Sequence, residues 1–225
     1  MTALRLAHRG DWRRAPENTL PALLAALDIP GCDGVEFDVR AARDGTPVLY
    51  HDDTLDRVHG VAARVDLLSA DELAEHGIPT LEEVLSALPR RAFLDVELKG
   101  DPGRAAVDAL TAGRGPRLER AVVSSFEAAT LERVARLAPS WPRWLNTEDL
   151  SAETIALADR IGCRGISVDW RAIDAAGVAR ASAAGLEVAA WTVRRRPTYR
   201  RLEALGVVAI CAEAAALDGD DHRAA

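Results

Sequence analysis

The chain predicts a TIM (β/α)8 barrel, an α/β fold, and three observations carry that prediction. Its 225 residues match the ~200 to 250 that one compact barrel takes. From Phe93 onward short apolar runs alternate with helical stretches, and a new run starts about every 20 to 29 residues, the rhythm of repeated βα units. Histidine, arginine, lysine and carboxylates gather where the runs end, and a barrel carries its functional groups at the C-terminal rim of its strands. A doubly wound open sheet is the runner-up.

Leu4–His8 is an apolar run that empties into His8-Arg9-Gly10. Pro16-Glu17-Asn18-Thr19 then offers Asn18 or Thr19 as the N-cap of an apolar helix over Leu20–Leu27. Residues 35–39 read as a buried strand in which Glu36 and Asp38 share one face, because successive strand side chains point to opposite sides. Asp44-Gly45 suits a two-residue hairpin turn into a strand over 47–50, which must return antiparallel because so short a connection makes no parallel crossover. Centred there, the pairing sets Arg43 against Thr46, His51 opposite Asp38 and Asp53 opposite Glu36. Residues 54–79 read as a loop-rich excursion with one short helix near 70–75, so that hairpin and loop together cover the rim over about 40–79. Thr80-Leu81-Glu82-Glu83 is a capping-box start to a helix reaching Leu88.

Strands over Phe93–Leu98, 121–124, 143–145, 165–168, 187–191 and 207–211 alternate with helices over 104–112, Ala128–Leu137, 152–161, 172–184 and 197–205. Gly162, Gly185 and Gly206 each end a helix just ahead of a strand. The last helix, Ala214–Leu217, is stunted, which leaves one domain over 1–217 and a solvated, flexible acidic tail over 218–225.

Composition narrows the partners. A formal net charge of −7 argues against nucleic acid and anionic membrane, both of which reward basic surfaces. There is no apolar run of ~20 residues to span a bilayer, and the first strand begins by Leu4, leaving no room for a secretory signal, so a cytoplasmic location is expected. Cys32, Cys163 and Cys211 are an odd, scattered set without CxxC spacing, which fits reduced structural thiols rather than a disulfide framework or a zinc site.

Lys99 is the sole lysine of an arginine-rich chain. Asp95, Glu97 and Lys99 share a strand face, and Glu97 with Glu36 and Asp38 makes a three-carboxylate, all-oxygen set suited to one divalent cation, Mg2+ or Ca2+. Arg9 and Lys99 bring positive charge to the same rim, and cation, Arg and Lys together describe a phosphate pocket. His8 and His51 flank it, and imidazole is the side chain whose ordinary titration range suits general acid and base work near neutral pH. Each piece alone has a plainer explanation. Glu-x-Asp on a strand is more often a salt-bridged rim, Asp52 and Asp53 can support a turn, Ser125-Phe126 can cap and pack, and Trp191 reads as a wall. His59 and His76, in the excursion, are read as structural. Core packing gives no reason for all the other types to gather at one rim, and that joint occurrence marks the site.

His8-Arg9-Gly10 with Pro16-Glu17-Asn18-Thr19, Glu36-x-Asp38, His51-Asp52, Glu97-x-Lys99, Ser125-Phe126 and Trp191-Thr192-Val193 resemble, in order and over nearly the whole chain, the motifs of the glycerophosphodiester phosphodiesterase family. The resemblance implies a TIM barrel and metal-dependent hydrolysis of glycerophosphodiesters to sn-glycerol 3-phosphate and an alcohol. It implies Glu36, Asp38 and Glu97 as metal ligands, His8 and His51 as the acid–base pair, and Arg9 and Lys99 as phosphate contacts, with Phe126 and Trp191 at the substrate. Two positions depart from the family pattern: Arg194 stands where asparagine is usual after Trp-Thr-Val, and Cys211-Ala212-Glu213 where the last strand usually ends in Thr-Asp. Two other readings stay open on sequence: a barrel that binds a phosphodiester with weak or lost catalysis, and a lyase or aldolase using Lys99 as a Schiff base.

Overall fold

A computed structural model describes residues 2–101 and 103–218. In chain order the elements are β1 (Leu4–His8), α1 (Leu20–Leu27), β2 (Gly34–Ala41), β3 (Pro47–Leu49), α2 (Asp56–His59), α3 (Ala70–Ala74), α4 (Leu81–Ala87), β4 (Phe93–Leu98) and α5 (Gly103–Arg114). There follow β5 (Ala121–Ser125), α6 (Ala128–Leu137), β6 (Arg143–Thr147), α7 (Ala152–Arg160), β7 (Gly165–Asp169), α8 (Ala175–Ala183), β8 (Glu187–Val193), α9 (Arg196–Ala204), β9 (Ala209–Ala212) and α10 (Ala214–Leu217). All strands but β3 pair in parallel around a closed ring, sealed where β1 meets β9 on one side and β2 on the other. The barrel is therefore the expected one, and the open sheet is excluded.

The period of two sorts each strand into faces. Val35, Phe37 and Val39 of β2, with Leu94, Val96 and Leu98 of β4, turn outward into the main core under the helices. Inside the barrel, Leu6, Val122, Trp144, Ala189, Ala209 and Cys211 fill the lower layers. Near the C-terminal end the same faces become polar, with Glu36, Asp38, Asp95, Glu97, Ser124, Asn146 and Ser167 all buried. That change of lining makes the site.

The edge of β2 is shared. β1 pairs with Gly34–Glu36 and stops, and β3 takes up the same strand at Val39–Ala41. Between them Asp38 is served by other groups: its N–H donates to Asn18 Oδ1 at 3.1 Å, and its carbonyl accepts the Tyr50 N–H at 3.1 Å. Asn18, rather than Thr19, is thereby freed from capping. Thr19 caps α1 by accepting the Ala22 N–H, and Asn18 adopts a left-handed φ of 57° that its short side chain tolerates.

The hairpin corrects the expected register. The pairing is Val39 with Leu49 and Arg40 with Val48, and the Ala42 N–H donates to the Thr46 carbonyl at 2.9 Å, so the loop has one residue more than Asp44-Gly45 alone would give. Only Gly45, at φ 81°, is left-handed. A two-residue type I′ turn needs positive φ at both positions, which Asp44 does not adopt, and the loop becomes a tight turn closed by glycine. Tyr50, not His51, thus faces Asp38. Asp53 is not opposite Glu36 but lies outside, its Oδ1 2.7 Å from Arg40 Nη1.

The excursion is more ordered than its weak periodicity suggests. Besides α3 it holds α2 and a 3-10 turn over Val65–Leu67, around a small separate cluster of Ala42, Val48, Tyr50, Leu55, Val65, Leu73 and Ile78. His59 stacks on Tyr50 with ring centroids 5.8 Å apart and lies 5.5 Å from His76, consistent with a packing role for both histidines. Thr80 and Glu83 form the expected capping box, and Ser69 and Glu72 form a second at α3. Smaller shifts follow from tertiary pairing: β6 and β8 run on to Thr147 and Val193, β9 starts at Ala209, and a 3-10 turn at Trp170–Ala172 precedes α8. Of the predicted acidic tail, Asp218 accepts from Arg13 Nη1 at 2.7 Å, and residues 219–225 lie outside the described residues.

Two glycines test the close approach of strands. A Cβ on Gly34 would meet the Phe93 carbonyl oxygen at 2.0 Å, whereas one on Gly185, at φ 77°, meets nothing within 4 Å. Gly34→Ala is expected to destabilise by about 3 kcal/mol or more and Gly185→Ala by about 1 to 2 kcal/mol, read from chemical denaturation midpoints.

Candidate active site

β2 and β4 run in parallel register with Asp38 beside Glu97 and Glu36 beside Asp95. Glu36, Asp38 and Glu97 each offer an oxygen within 4.8 Å of the other two, the one such acidic group among the described residues. All three are buried. Like charges so placed cannot all be ionised without compensation. Burial, and after it the carboxylates of Asp38 and Glu97, push Glu36 well above the ordinary glutamate range. Burial and then Asp38 raise Glu97 to about 7, against the pull of Lys99. Burial works the same way on Asp38, but Arg9 and Lys99 outweigh it and hold that carboxylate at about 2.

The unpartnered buried atoms test what the group can hold. Glu36 Oε1 is buried without a hydrogen-bond partner, and Asp38 Oδ1 meets only the Lys99 ammonium, at 3.2 Å. Unsatisfied carboxylate oxygens at such depth are rare in finished structures, and a hard divalent cation fits an all-oxygen donor set of this kind. Asp95, on the same face of β4, stays out of the group. It stands beside Glu36 but accepts from Ser124 Oγ at 2.6 Å, and is raised to about 7 chiefly by burial.

Positive charge surrounds the acids. Lys99 bonds both Glu97 and Asp38 and lies 5.6 Å over the Phe126 ring. Arg9 Nε is 3.0 Å from Asp38 Oδ2. Arg9 follows the last residue of β1 at a left-handed φ of 56°, and Gly10 continues at 83°. Gly10 is held to glycine twice over, since an added Cβ would also meet the Ala22 backbone at 2.5 Å. Asn18 Nδ2 completes the grip on Asp38 at 2.8 Å.

The two histidines stand in matching settings. His8 Nδ1 is 2.6 Å from Glu213 Oε1, and the other Glu213 oxygen accepts from Arg194 Nε at 2.7 Å. His51 Nδ1 is 2.5 Å from Asp52 Oδ1, and the other Asp52 oxygen accepts from Arg57 Nε at 2.5 Å. A carboxylate on Nδ1 fixes the ring and leaves Nε2 to exchange a proton. His8 Nε2 lies 3.9 Å from Glu36 Oε2. Burial opposes the ionisation of Glu213, yet His8 and Arg194 hold it at about 2. His51 is lowered, first by burial and further by Arg9 and Lys99. The residues at the two departures, Arg194 and Glu213, thus bond to each other and serve His8.

One cleft of about 160 Å³ is lined by His8, Arg9, Glu36, His51, Glu97 and Lys99 together with Phe126, Asn146 and Trp191, and Asp38 is fully buried beside it. Trp191 is pinned by its indole N–H to the Ser167 carbonyl at 3.0 Å and meets Phe126 edge-on at 5.4 Å. Eight of the nine residues expected at the site line this cleft and the ninth, Asp38, is grouped with Glu36 and Glu97 beside it, although His51 arrives through the excursion beyond Tyr50 and not by strand register. Sequence reasoning missed Asn18, Glu17, Arg57 and Asn146. Asn18 and Glu17 lie in the quoted Pro16–Thr19 motif but read as a helix start, Arg57 sits in the stretch of weakest periodicity, and Asn146 carried no signal beyond its strand parity.

Comparison with known proteins gives concordant results. The model of the glycerophosphoryl diester phosphodiesterase family matches residues 8–216. A glycerophosphodiester phosphodiesterase of Caldanaerobacter subterraneus subsp. tengcongensis is 29% identical over 225 residues, covering 92% of each chain. Among solved structures, an Oleispira antarctica phosphodiesterase in complex with the product sn-glycerol-3-phosphate superposes with a TM-score of 0.81 at 27% identity, covering 94% of this chain and 93% of that one. A Thermotoga maritima glycerophosphodiester phosphodiesterase shares the fold with a TM-score of 0.83 at 22% identity, over 97% and 96% of the two chains.

The raised carboxyls link cation binding to pH. An unfolded glutamate titrates near ~4.3 and folded Glu97 near about 7, so between these values the folded chain holds the extra proton and cation-free stability falls as pH rises. A divalent cation needs the carboxylates ionised and must displace that proton. The thermal shift produced by saturating Mg2+ or Ca2+ is expected to grow from about pH 5.5 to about pH 7.5, with proton release visible by calorimetry in buffers of different ionisation enthalpy. A shift that ignores pH would exclude this acidic group as the binding place.

Proposed function

The chain belongs to the glycerophosphoryl diester phosphodiesterase family and is a phosphoric diester hydrolase; from that premise we propose that the cleft between β1, β2 and β4 carries out the hydrolysis of glycerophosphodiesters to sn-glycerol 3-phosphate and an alcohol. The observation that supports this most is the joint one: a buried carboxylate triad at the cleft, two of its members in the lining, with two cationic side chains and two carboxylate-held imidazoles around it.

In this reading Glu36, Asp38 and Glu97 hold one divalent cation, magnesium or calcium, which when bound supplies Lewis-acid neutralisation of the phosphoryl oxygens. Arg9 and Lys99 bind the same non-bridging oxygens and follow the charge that grows on them. One imidazole takes the proton of the attacking hydroxyl through its free Nε2, and the other gives a proton to the departing alkoxide as its P–O bond breaks. Trp191 and Phe126 pack against the carbon skeleton. The attacking oxygen is supplied by water directly, or first by the glycerol 2-hydroxyl, which expels the alcohol and leaves a cyclic phosphate that water then opens; a diester lacking that hydroxyl separates the two routes.

A Schiff-base role for Lys99 has little support. That chemistry needs a free amine, and although burial works to deprotonate Lys99, Asp38 and Glu97 raise its pKa. A binding barrel without catalysis is disfavoured by the completeness of both histidine settings. Three free thiols support a reducing, cytoplasmic setting; no described helix is long and apolar enough to cross a membrane, and the net charge of −7 favours a small-molecule partner over nucleic acid.

Release of sn-glycerol 3-phosphate from glycerophosphocholine or glycerophosphoglycerol is expected to be abolished by EDTA and restored by Mg2+ or Ca2+; release indifferent to chelation would remove the cation from the scheme. His51→Ala should lower kcat by ~10²-fold or more while the cation still shifts the unfolding temperature. Near-native turnover in that variant would take His51 out of the proton transfer.

A further inference from the structure

Arg57 has no part in the chemistry described so far, yet both halves of the site meet on it. It belongs to α2, none of whose residues is buried. Its Nε donates to Asp52 Oδ2 at 2.5 Å, its Nη2 to Glu17 Oε1 at 2.5 Å and its Nη1 to Glu17 Oε2 at 3.2 Å. Asp52 uses its other oxygen on His51 Nδ1, at 2.5 Å. Glu17 Oε1 also accepts from Arg9 Nη1, at 3.0 Å. One guanidinium thus grips two carboxylates, and each of those grips a different functional side chain.

A lone ion pair at a half-exposed arginine would be ordinary surface decoration. This one differs in two respects. Both edges of the planar fork are used, the contact to Glu17 being two-pronged, which fixes direction as well as distance. It also ties the β1–α1 loop to the excursion, across a sequence separation of 40 residues. Lysine, a single point charge on a flexible stem, cannot hold both carboxylates in set directions.

We propose that Arg57 is a positioning residue of the reaction, which sets the proton-transferring imidazole of His51 and the phosphate-binding guanidinium of Arg9 as one unit through Asp52 and Glu17. The proposal rests on the reading of His51 and Arg9 given above. It explains why an imidazole delivered by a loop can be as well directed as His8, which stands on a barrel strand. Reacting groups misplaced by about 1 Å cost on the order of 10²-fold in rate, so a loosened Arg57 is felt in turnover rather than in folding.

The test compares wild type with Arg57→Ala, Arg57→Lys, Glu17→Gln and the double variant Arg57→Ala/Glu17→Gln on glycerophosphocholine at saturating magnesium. Thermal unfolding and magnesium titration report whether each variant is folded and binds the cation. Arg57→Ala is expected to lower kcat by about 10- to 100-fold and raise KM, with folding and magnesium binding kept. Arg57→Lys should recover only a minor part, and added guanidinium should recover part of the Arg57→Ala activity. The double variant should lose less than the product of the single losses, because Arg57 and Glu17 act through one link. Arg64→Ala, which breaks another exposed pair of the excursion with Asp66, should leave both constants unchanged. The proposal is overturned by Arg57→Ala kinetics within about twofold of wild type, by single losses that multiply in the double variant, or by a loss that tracks a lowered unfolding temperature and ignores guanidinium. Inactive wild-type protein would instead overturn the reading of the cleft itself.

Discussion

Glu36, Asp38 and Glu97 press three acidic groups into one buried corner of the barrel, and the repulsion among them has to be met from every side. Much of the surrounding structure does so. Arg9 and Lys99 lean in from the ends of β1 and β4, and Asn18 turns away from capping α1 to bond Asp38. What these leave unmet, the Glu36 oxygen without a partner, is the part a divalent cation is suited to take. The site is thus a charge-balance problem solved in layers, with the strands fixing the acids and the residues directly after β1 and β4 bringing the cations.

The geometry of β2 makes this possible. A strand paired along its whole edge could not admit Asn18 or release the chain toward His51. By sharing that edge between β1 and the short antiparallel β3, the fold leaves a gap at Asp38 into which a side chain from one loop and a backbone N–H from another both fit. The same economy recurs at the histidines, where a carboxylate and an arginine stand behind each ring. On the His8 side, Glu213, just past the end of β9, meets the ring with one oxygen and Arg194 with the other.

Much of this was legible in the sequence because it depends on short-range rules. Strand parity alone put Glu36, Asp38 and Glu97 on inward faces, and the βα rhythm put their strand ends at one rim. Gly162, Gly185 and Gly206 marked helix ends, as their positive φ angles bear out. Failures came where a conformation was decided by something distant or by one dihedral. The hairpin register hinged on whether Asp44 would take a positive φ, which the dipeptide permits but does not compel. Arg57 and Glu17 are 40 residues apart and share no periodic pattern, so nothing local announced that they meet. The excursion looked loose because its few apolar residues pack on one another rather than on a helix stripe or a strand face.

That small packed cluster has a further consequence for how the molecule fails and how it varies. Proteins open in cooperative pieces, the weakest first. The annex carrying His51 has its own modest core beside the large one that holds the barrel, so on warming or in mild denaturant it is expected to open, and to release His51 from the cleft, before the barrel does. The same partition lets mutations accumulate in the annex, reshaping who may enter the mouth, without endangering the architecture beneath.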